Sequence, residues 1–168
     1  KFVSISCGEI WYSESKCVNL LNERCIHLII NHLNIKIMEA KFYKCPICGN
    51  VFAVIEDSGV VPVCCGKPML HLNAMQTDGA AEKHVPVVTR QEDGKLKITV
   101  SSVPHPMTPE HHICFVAVES CCGLKIIHLD PAKPAEAVYC DCGEKVKAVY
   151  EYCNLHGLWK STEIPTRE

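Results

Sequence analysis

The segment Tyr152-Cys-Asn-Leu-His-Gly-Leu-Trp159 contains two potential metal ligands. Cys153 and His156 stand three residues apart, a spacing at which a tight turn directs a thiolate and an imidazole to one point. Gly157 allows the backbone to bend sharply there, and Trp159 adds a large apolar side chain beside the turn. Two ligands do not complete a metal site, so the others must come from earlier in the chain.

Three earlier histidines have settings that suit metal binding. His84 stands in Glu-Lys-His-Val-Pro-Val, and His105 and His111 bracket the loop His-Pro-Met-Thr-Pro-Glu-His. All three are predicted at strand edges or in loops, where sites on rigid β-scaffolds usually lie. With Cys153 and His156 they predict a site of four imidazoles and one thiolate. Because zinc prefers four ligands, five ligands that leave a sixth position open favour iron.

A second group of potential ligands lies in a shorter stretch. Cys45-Pro-Ile-Cys48 forms a turn that points two thiolates at one ion, and Cys64 and Cys65 add two more sulfurs, enough for a tetrahedral site. Since neighbouring residues of an extended chain point in opposite directions, the adjacent pair requires a bent geometry. About 35 residues cannot build a self-sufficient core, so the metal would supply much of the folding free energy. The spacing leaves zinc and iron open.

Composition limits the class of protein. The chain has 168 residues, of which 48% are hydrophobic, enough for one full domain and a small one. A net charge of −2 argues against nucleic acid as the main partner. No run of about 18 apolar residues occurs, so no membrane span is predicted. The thirteen cysteines are odd in number and follow no signal peptide, which favours metal binding in a reducing cytoplasm over a disulfide scaffold.

The hydrophobic pattern predicts a mainly β chain. Lys95-Leu-Lys-Ile-Thr-Val alternates polar and apolar residues, as a half-buried strand does, and Asp93-Gly94 favours a hairpin turn. Several short strands at this spacing indicate an antiparallel β-sandwich. The predicted strands are Val51–Ile55, Val60–Val63, Val85–Thr89, Lys95–Ser101, His112–Ser120, Leu124–Leu129, Ala135–Tyr139 and Lys145–Tyr152.

These features divide the chain into three parts. Residues 1–37 form an unmatched leader that begins with Lys and is expected to be peripheral or disordered. The leader contains a moderately amphipathic stretch from Val18 to Ile37. Met38 is the expected natural start. Residues 38–75 form the small metal-stapled domain. Residues 76–168 form the sandwich with the mononuclear site, entered through the small polar residues 76–81.

Taken together, the motifs resemble those of the desulfoferrodoxin family, the two-iron superoxide reductases. The resemblance runs from about Met38 to Trp159. It implies a desulforedoxin-like domain with one iron held by four cysteines, then an immunoglobulin-like sandwich with a second iron. The matching segments are Cys45-Pro-Ile-Cys48 with Cys64-Cys65, Glu82-Lys83-His84-Val85-Pro86-Val87, His105-Pro106-Met107 with His111, and Cys153-Asn154-Leu155-His156-Gly157-Leu158-Trp159.

The resemblance also implies an activity and partners. Two iron ions per chain would be bound, the second by His84, His105, His111 and His156 in the equatorial plane and Cys153 on the axis. Superoxide would be reduced to hydrogen peroxide with electrons from a rubredoxin-like donor, in a homodimer. Lys83 would raise the local concentration of the superoxide anion. Glu82 is similar to the family's carboxylate that occupies the sixth position once the iron is oxidised.

Two features depart from the family pattern, and two other functions remain alternatives. The departures are the leader and five extra cysteines, for which reduced surface thiols are expected rather than a further sulfur site or disulfide. The alternatives are an electron-transfer protein that works through the four-cysteine centre and a zinc-stabilised binding module. The extra cysteines are Cys114, Cys121, Cys122, Cys140 and Cys142.

Overall fold

The computed structural model of the chain describes residues 5–6, 9–10, 39–75 and 81–166. Two short strands of the leader, β1 (Ile5–Ser6) and β2 (Glu9–Ile10), pair antiparallel. The amphipathic stretch predicted in the leader lies outside the described residues. Among the described residues, no helix combines the length and the apolar character that a membrane crossing needs.

Residues 39–75 form a small unit, here called the N-terminal module. Its strands build a three-stranded sheet of order β4-β3-β7 and a two-stranded ribbon of β5 and β6. Its own core contains only Tyr43, Cys45 and Met69 as buried residues, which is too small to stabilise a fold alone. The strands are β3 (Phe42–Lys44), β4 (Val51–Ala53), β5 (Val63–Cys64), β6 (Lys67–Pro68) and β7 (Leu70–His71).

A single helical turn, α1 (Ala81–His84), leads into seven strands that form two antiparallel sheets. The strands are β8 (Pro86–Arg90), β9 (Leu96–Val100), β10 (Ile113–Ser120), β11 (Gly123–His128), β12 (Glu136–Tyr139), β13 (Val146–Cys153) and β14 (Gly157–Ser161). One sheet has the order β11-β10-β13-β14 and the other has the order β12-β9-β8. The antiparallel sandwich expected from the alternating pattern is therefore confirmed.

The main core lies between these two sheets. Alternate residues of β9 are buried, because period-two spacing turns Leu96, Ile98 and Val100 to the same face. The Asp93-Gly94 turn that joins β8 to β9 has Gly94 at a φ of +81°, a conformation that glycine adopts without steric cost. The buried core residues are Val88, Leu96, Ile98, Val100, Ile113, Val116, Val118, Ala135, Ala137, Val146, Val149 and Cys153.

The N-terminal module covers the outer face of the four-stranded sheet. Phe42 of β3 is 1% exposed, and its ring centroid lies 5.9 Å from that of Phe115 and 5.7 Å from that of Tyr150. Met75, at the end of the module, exchanges two backbone hydrogen bonds with β14. Because both faces of the sheet are covered, β10 and β13 are buried along almost their entire length.

Some local predictions differ from the structure. The strand predicted for Val60–Val63 is wrong over most of its length, because extended pairing begins only at Val63. Strand β14 was not predicted, although it pairs with β13 over five residues. The extra cysteine pairs lie in connections between strands: Cys121 and Cys122 join β10 to β11, whereas Cys140 and Cys142 follow β12. The predicted domain boundary at residue 75 stays a prediction, since residues 76–80 are not described.

Candidate metal centres

Four cysteine side chains of the N-terminal module converge on one point. The Sγ atoms of Cys45, Cys48, Cys64 and Cys65 all lie within 4.8 Å of one another. The Sγ atoms of Cys48 and Cys64 are 3.8 Å apart, and those of Cys64 and Cys65 are 3.9 Å apart. A tetrahedral ion with metal–sulfur bonds of about 2.3 Å requires sulfurs about 3.8 Å apart. The four thiols therefore fit one tetrahedral metal ion.

The first cysteine pair is positioned by a short turn. The Cys45 amide donates a hydrogen bond of 2.8 Å to the Asn50 carbonyl, which closes the turn. The amides of Ile47 and Cys48 point at the Cys45 sulfur from 3.4 and 3.5 Å. Gly49 completes the turn with a φ of +76°, in the left-handed region that favours glycine.

The adjacent cysteines are brought to the same side by a change of backbone conformation. Cys64 ends β5 in an extended conformation, whereas Cys65 has a φ of +51° and Gly66 a φ of +73°. This left-handed turn breaks the alternation that would otherwise point the two side chains apart. A non-glycine residue in this region is uncommon, so Cys65 is held there at some conformational cost. The bent geometry expected from the adjacent pair is therefore present.

The pKa values of two of these thiols are shifted in opposite directions. Hydrogen bonds, chiefly from the Cys48 amide, lower the pKa of Cys45 to about 6. Hydrogen bonding to the neighbouring thiols, chiefly that of Cys45, raises the pKa of Cys64 to about 12. The Cys45 thiolate thus suppresses ionisation of Cys64. A metal ion would remove this penalty, because its positive charge stabilises all four thiolates at once.

A second cluster forms at one end of the sandwich. The ligand atoms of His84, His105, Cys153 and His156 lie within 4.8 Å of one another. They come from α1, from the connection after β9, from the end of β13 and from the turn before β14. The first three side chains are buried, whereas His156 is exposed. The cluster therefore has a buried floor and a solvent-facing side.

His111, the fifth predicted ligand, adjoins this group of four. Its Nε2 atom lies 3.2 Å from Nδ1 of His156, and its ring centroid lies 4.5 Å from that of His105. The Thr108–His111 turn that presents it is closed by backbone hydrogen bonds in both directions between its two end residues. The structure thus brings all five predicted side chains to one place, with His111 at the margin.

The neighbours of two imidazoles determine which ring nitrogen is available to a metal. Nδ1 of His105 lies 2.6 Å from the Pro106 carbonyl oxygen; a carbonyl only accepts, so Nδ1 must carry the proton. Nε2 of His105 then faces the Cys153 sulfur at 3.6 Å. On His84, Nδ1 lies 3.3 Å from Oε1 of Glu151, which leaves Nε2 available. Such outer contacts fix the ring orientation of metal ligands in proteins.

The separations fit a single ion of higher coordination. Adjacent nitrogen ligands of an octahedral ion, at bond lengths of about 2.1 Å, lie about 3.0 Å apart, and a nitrogen and a sulfur lie slightly farther apart. His111 Nε2 and His156 Nδ1 are 3.2 Å apart, and the Cys153 sulfur lies 3.4 Å from His156 Nδ1. The donor set, rich in imidazole with one thiolate, suits iron.

Burial prepares these side chains for metal binding. It lowers the pKa of His105 and of His111, so both imidazoles are neutral and able to donate a lone pair at neutral pH. It also raises the pKa of the Cys153 thiol, so this sulfur would ionise only with a cation beside it. Binding of a metal ion there would therefore release a proton.

Two residues that support the site were not identified from the sequence. Glu151 is fully buried, and burial raises the pKa of its carboxyl to about 9. The sequence signal that could have identified Glu151 is its acidic side chain at an inward-facing strand position, two residues before Cys153. Asn154 ties the turn to the preceding loop: its Oδ1 accepts from the His112 amide at 3.0 Å and its Nδ2 donates to the Glu110 carbonyl at 2.8 Å.

The two predicted charged residues precede His84 in the chain. The Lys83 side chain is exposed in the last turn of α1, directly next to the buried His84. The backbone of Glu82 belongs to the same helical turn, but its side chain lies outside the part of the chain that the structure describes. The roles predicted for both residues stay predictions.

The fold and its two clusters define a class of protein, a β-sandwich metalloprotein with an appended four-cysteine module whose donor sets fit two iron centres. Comparison with known proteins agrees with this class. Residues 38–72 match the family model of the desulfoferrodoxin N-terminal domain, and residues 76–162 match that of desulfoferrodoxin. The chain belongs to the desulfoferrodoxin family.

Several curated relatives are similar over most of their length. The desulfoferrodoxin of Syntrophotalea carbinolica is 43% identical over 71% of this chain and 93% of the relative. That of Nitratidesulfovibrio vulgaris is 42% identical over 72% of this chain and 94% of the relative. A superoxide reductase of Thermococcus kodakarensis is 34% identical over 55% of this chain and 96% of the relative.

A solved structure is similar to both parts of the chain together. The crystal structure of the superoxide reductase from Treponema pallidum superimposes with a TM-score of 0.62 at 30% sequence identity. The alignment covers 73% of this chain and 97% of that chain. The fold of the N-terminal module and the sandwich is therefore shared with a protein of that name.

Proposed function

We propose that the chain is a superoxide reductase, which converts superoxide to hydrogen peroxide by adding one electron and two protons. The observation that carries the proposal is the meeting of His84, His105, Cys153 and His156 within 4.8 Å, at one end of a sandwich shared with superoxide reductases. Iron bound to these side chains would supply the electron. The rest of the chemistry depends on how the protein's own residues hold the site and admit the anion.

The burial of the ligands separates two sides of the site. Cys153 is 0% exposed, whereas His156 is exposed, so the cluster is open to solvent and to a small anion at His156. Neutral imidazoles carry no charge and a single thiolate carries one, so a divalent ion bound here would keep a net positive charge that attracts superoxide. The buried Cys153 thiolate would donate electron density to such an ion.

Two charged residues are proposed to act at the entrance. Lys83 is exposed directly beside the ligand His84, and its ammonium group would raise the local concentration of the anionic substrate. Glu82 would provide the carboxylate that closes the open coordination position after electron transfer. Both roles are supported by the position of these residues, next to a ligand, in the motif shared with the family.

The experiment that tests the activity is the variant Cys153→Ser. We expect it to lose superoxide turnover while the four-cysteine centre keeps its visible absorption, because the two clusters share no ligand. Turnover is measured anaerobically by following superoxide consumption after a pulse of the anion. The matched control is Cys114→Ser, since Cys114 lies on the neighbouring β10 and belongs to neither cluster.

Metal content separates the proposal from its alternatives. Two irons per chain and a fast reaction with superoxide support the reductase. Zinc in both centres would support a binding module instead, and two irons without superoxide turnover would support an electron carrier. Full turnover in the Cys153→Ser variant would remove the histidine–cysteine cluster from the reaction.

A rubredoxin-like electron donor and a reducing cytoplasm complete the proposal. Cys48 and Cys65 are exposed, so a small donor protein could approach the four-cysteine centre closely. The clustering of cysteines as metal ligands is typical of a reducing compartment.

We also propose a homodimer formed through the N-terminal module. The module exposes large apolar side chains, among them Ile55 at 95% and Val60 at 73%, and such patches mark interaction surfaces. Charged substitutions there, Ile55→Lys with Val60→Lys, should convert dimers to monomers in light scattering. The control is Val138→Lys, an exposed residue of β12 in the sandwich. A monomeric wild-type chain would contradict the proposal.

A further inference from the structure

A cysteine pair outside both metal centres lies in the connection between β12 and β13. The sequence there is Cys140-Asp141-Cys142, and the Sγ atoms of the two cysteines are 3.0 Å apart. Both side chains are exposed. This separation is shorter than an ordinary contact between two sulfur atoms, so the side chains already point at one another in the orientation that precedes a disulfide bond.

The residue between the two cysteines is held in the protein interior. Asp141 is 2% exposed, and its carboxylate pairs with the Arg90 guanidinium at 3.0 Å. This pairing fixes the middle of the segment, while the two flanking thiols are exposed. The turn is completed by Cys142 at a φ of +44° and by the Glu144 amide, which donates to the Asp141 carbonyl.

A cation lies beside the first thiol. Tyr139 of β12 pairs with Leu96 of β9 in antiparallel register, so the next pair along the two chains is Cys140 and Lys95. The pKa of Lys95 is raised, chiefly by Asp93 and additionally by the negative charge of Cys140. A cation near a thiol generally favours the thiolate, which is the reactive form of cysteine. Lys95, itself paired with Asp93 at 2.7 Å, is the cation at the position opposite Cys140.

The neighbouring pair Cys121 and Cys122 lacks these features. Its Sγ atoms are 3.5 Å apart. Burial and the neighbouring Cys121 and Glu144 raise the pKa of Cys122 to about 12, so this thiol stays protonated and is a poor nucleophile. The chain therefore contains two cysteine pairs that differ in sulfur–sulfur separation and in the pKa of one thiol, and the two can be compared within one molecule.

We infer that Cys140 and Cys142 form a dithiol that reduces hydrogen peroxide and closes into a disulfide. The Cys140 thiolate attacks one peroxide oxygen, the O–O bond breaks and the other oxygen leaves as water after protonation, so that Cys140 becomes a sulfenic acid. The Cys142 thiol then attacks that sulfur and releases a second water. Two thiols lose two electrons and two protons, and one peroxide gains them.

The inference rests on the proposed function only for the source of the peroxide, which would be the product of the histidine–cysteine centre. A reducing thiol pool would return the disulfide to the dithiol. The chemistry of the pair itself depends on geometry within the connection after β12. It can therefore be tested with peroxide added directly.

The test is peptide mapping of the iron-loaded full chain after one equivalent of hydrogen peroxide. The remaining thiols are trapped with N-ethylmaleimide before digestion with trypsin. The peptide 126–145 contains only Cys140 and Cys142, because the Lys133-Pro134 bond resists cleavage, and the peptide 98–125 contains Cys114, Cys121 and Cys122. We expect the peptide 126–145 to carry no N-ethylmaleimide label and to be lighter by two hydrogen atoms than its reduced, unlabelled form. The peptide 98–125 should carry three labels.

Variants make the test selective. Lys95→Ala should slow disulfide formation several-fold, whereas Lys133→Ala, an exposed lysine at the other end of β12, should not change it. Cys140→Ser should leave superoxide turnover unchanged. Its remaining thiol, Cys142, should not form a disulfide within the peptide 126–145. Two labels on the peptide 126–145 after peroxide, or equal oxidation of the peptide 98–125, would overturn the inference.

A second arm distinguishes this inference from the proposed function. With superoxide as the added oxidant, the wild-type chain should form the disulfide faster than Cys153→Ser, in which peroxide arises only by spontaneous dismutation of superoxide; added peroxide should oxidise both at the same rate. Equal rates with superoxide in the two proteins would count against the reductase and leave the dithiol chemistry intact.

Discussion

The side chains of the histidine–cysteine centre combine buried and exposed positions, and this combination follows from their neighbours. Cys153 is enclosed because it ends a strand whose two faces are both covered. His156 is exposed because it lies in the turn that follows. Lys83 is exposed and directly precedes the buried His84 in the chain. The exposed ammonium group proposed to attract the anion is therefore separate from the buried side chains proposed to hold the metal.

Lys83→Ala should slow the reaction with superoxide several-fold and flatten its dependence on ionic strength. The physical reason is that an exposed ammonium group attracts the anion through solvent, an interaction that salt screens within about 10 Å at 0.1 M. Second-order rate constants after pulse radiolysis at several salt concentrations measure both effects.

The control for this prediction is Lys145→Ala. Lys145 is also exposed, but it precedes the opposite end of β13, which lies roughly 25 Å from Cys153 at 3.3 Å per residue. It should change neither the rate constant nor the salt dependence. An unchanged rate constant and salt slope in Lys83→Ala would remove Lys83 from the mechanism.

Strand β3 joins the N-terminal module to the sandwich. Its sequence Phe-Tyr-Lys alternates in the sheet, so that Phe42 faces the outer surface of the four-stranded sheet and Tyr43 faces the module's own small core. This short element therefore serves two cores at once. The Phe42 side chain contacts aromatic residues of β10 and β13, the strand that ends in Cys153.

Phe42→Ala should destabilise the chain by about 3–5 kcal/mol, because it removes a fully buried ring and leaves a cavity between module and sheet. Phe52→Ala is the matched control, since Phe52 is 43% exposed on the adjacent β4, and it should cost well under half as much. Thermal unfolding of the iron-loaded proteins measures both. Equal losses in the two variants would show that the interface contributes little.

The two parts of the chain depend on different sources of stability. The sandwich encloses twelve buried core residues, whereas the module's own core has three, of which Cys45 is also a predicted metal ligand. Apolar burial can hold the larger part together, since each buried aliphatic or aromatic side chain contributes about 1.5–3 kcal/mol. The smaller part must rely on its metal and on contact with the sheet.

Removal of the metal ions with a chelator should therefore unfold the N-terminal module before the sandwich. Hydrogen exchange measured by mass spectrometry should show loss of protection around Cys45 and Cys64, including the Cys45 amide that bonds Asn50. The strands β9 and β10 should remain protected in the same sample. Simultaneous loss of protection in both parts would mean that the sandwich also requires metal.

Short-range patterns in the sequence predicted most of the local structure. The spacing of Cys45 and Cys48, the Cys153–His156 turn and the alternation in β9 each involve residues within a few positions of one another. Backbone geometry at such distances is restricted by sterics and by period-two alternation. For this reason the antiparallel sandwich, the Cys45–Cys48 turn and the Cys153–His156 turn could be predicted from local patterns. The grouping of the distant histidines with Cys153 rested on the resemblance to the family.

Other features depended on contacts between residues that are far apart in the chain. The contact of Glu151 with His84, the Asn154 bonds to the preceding loop and the placement of Phe42 on the sheet each join segments separated by tens of residues. Local propensity contains no information about such pairs, because they are selected by how whole sheets pack. The spacing of Cys140 and Cys142 was evident from the sequence, but the inward placement of Asp141 between them depends on its buried pairing with Arg90 of β8, which is distant in the chain and is brought there by sheet packing.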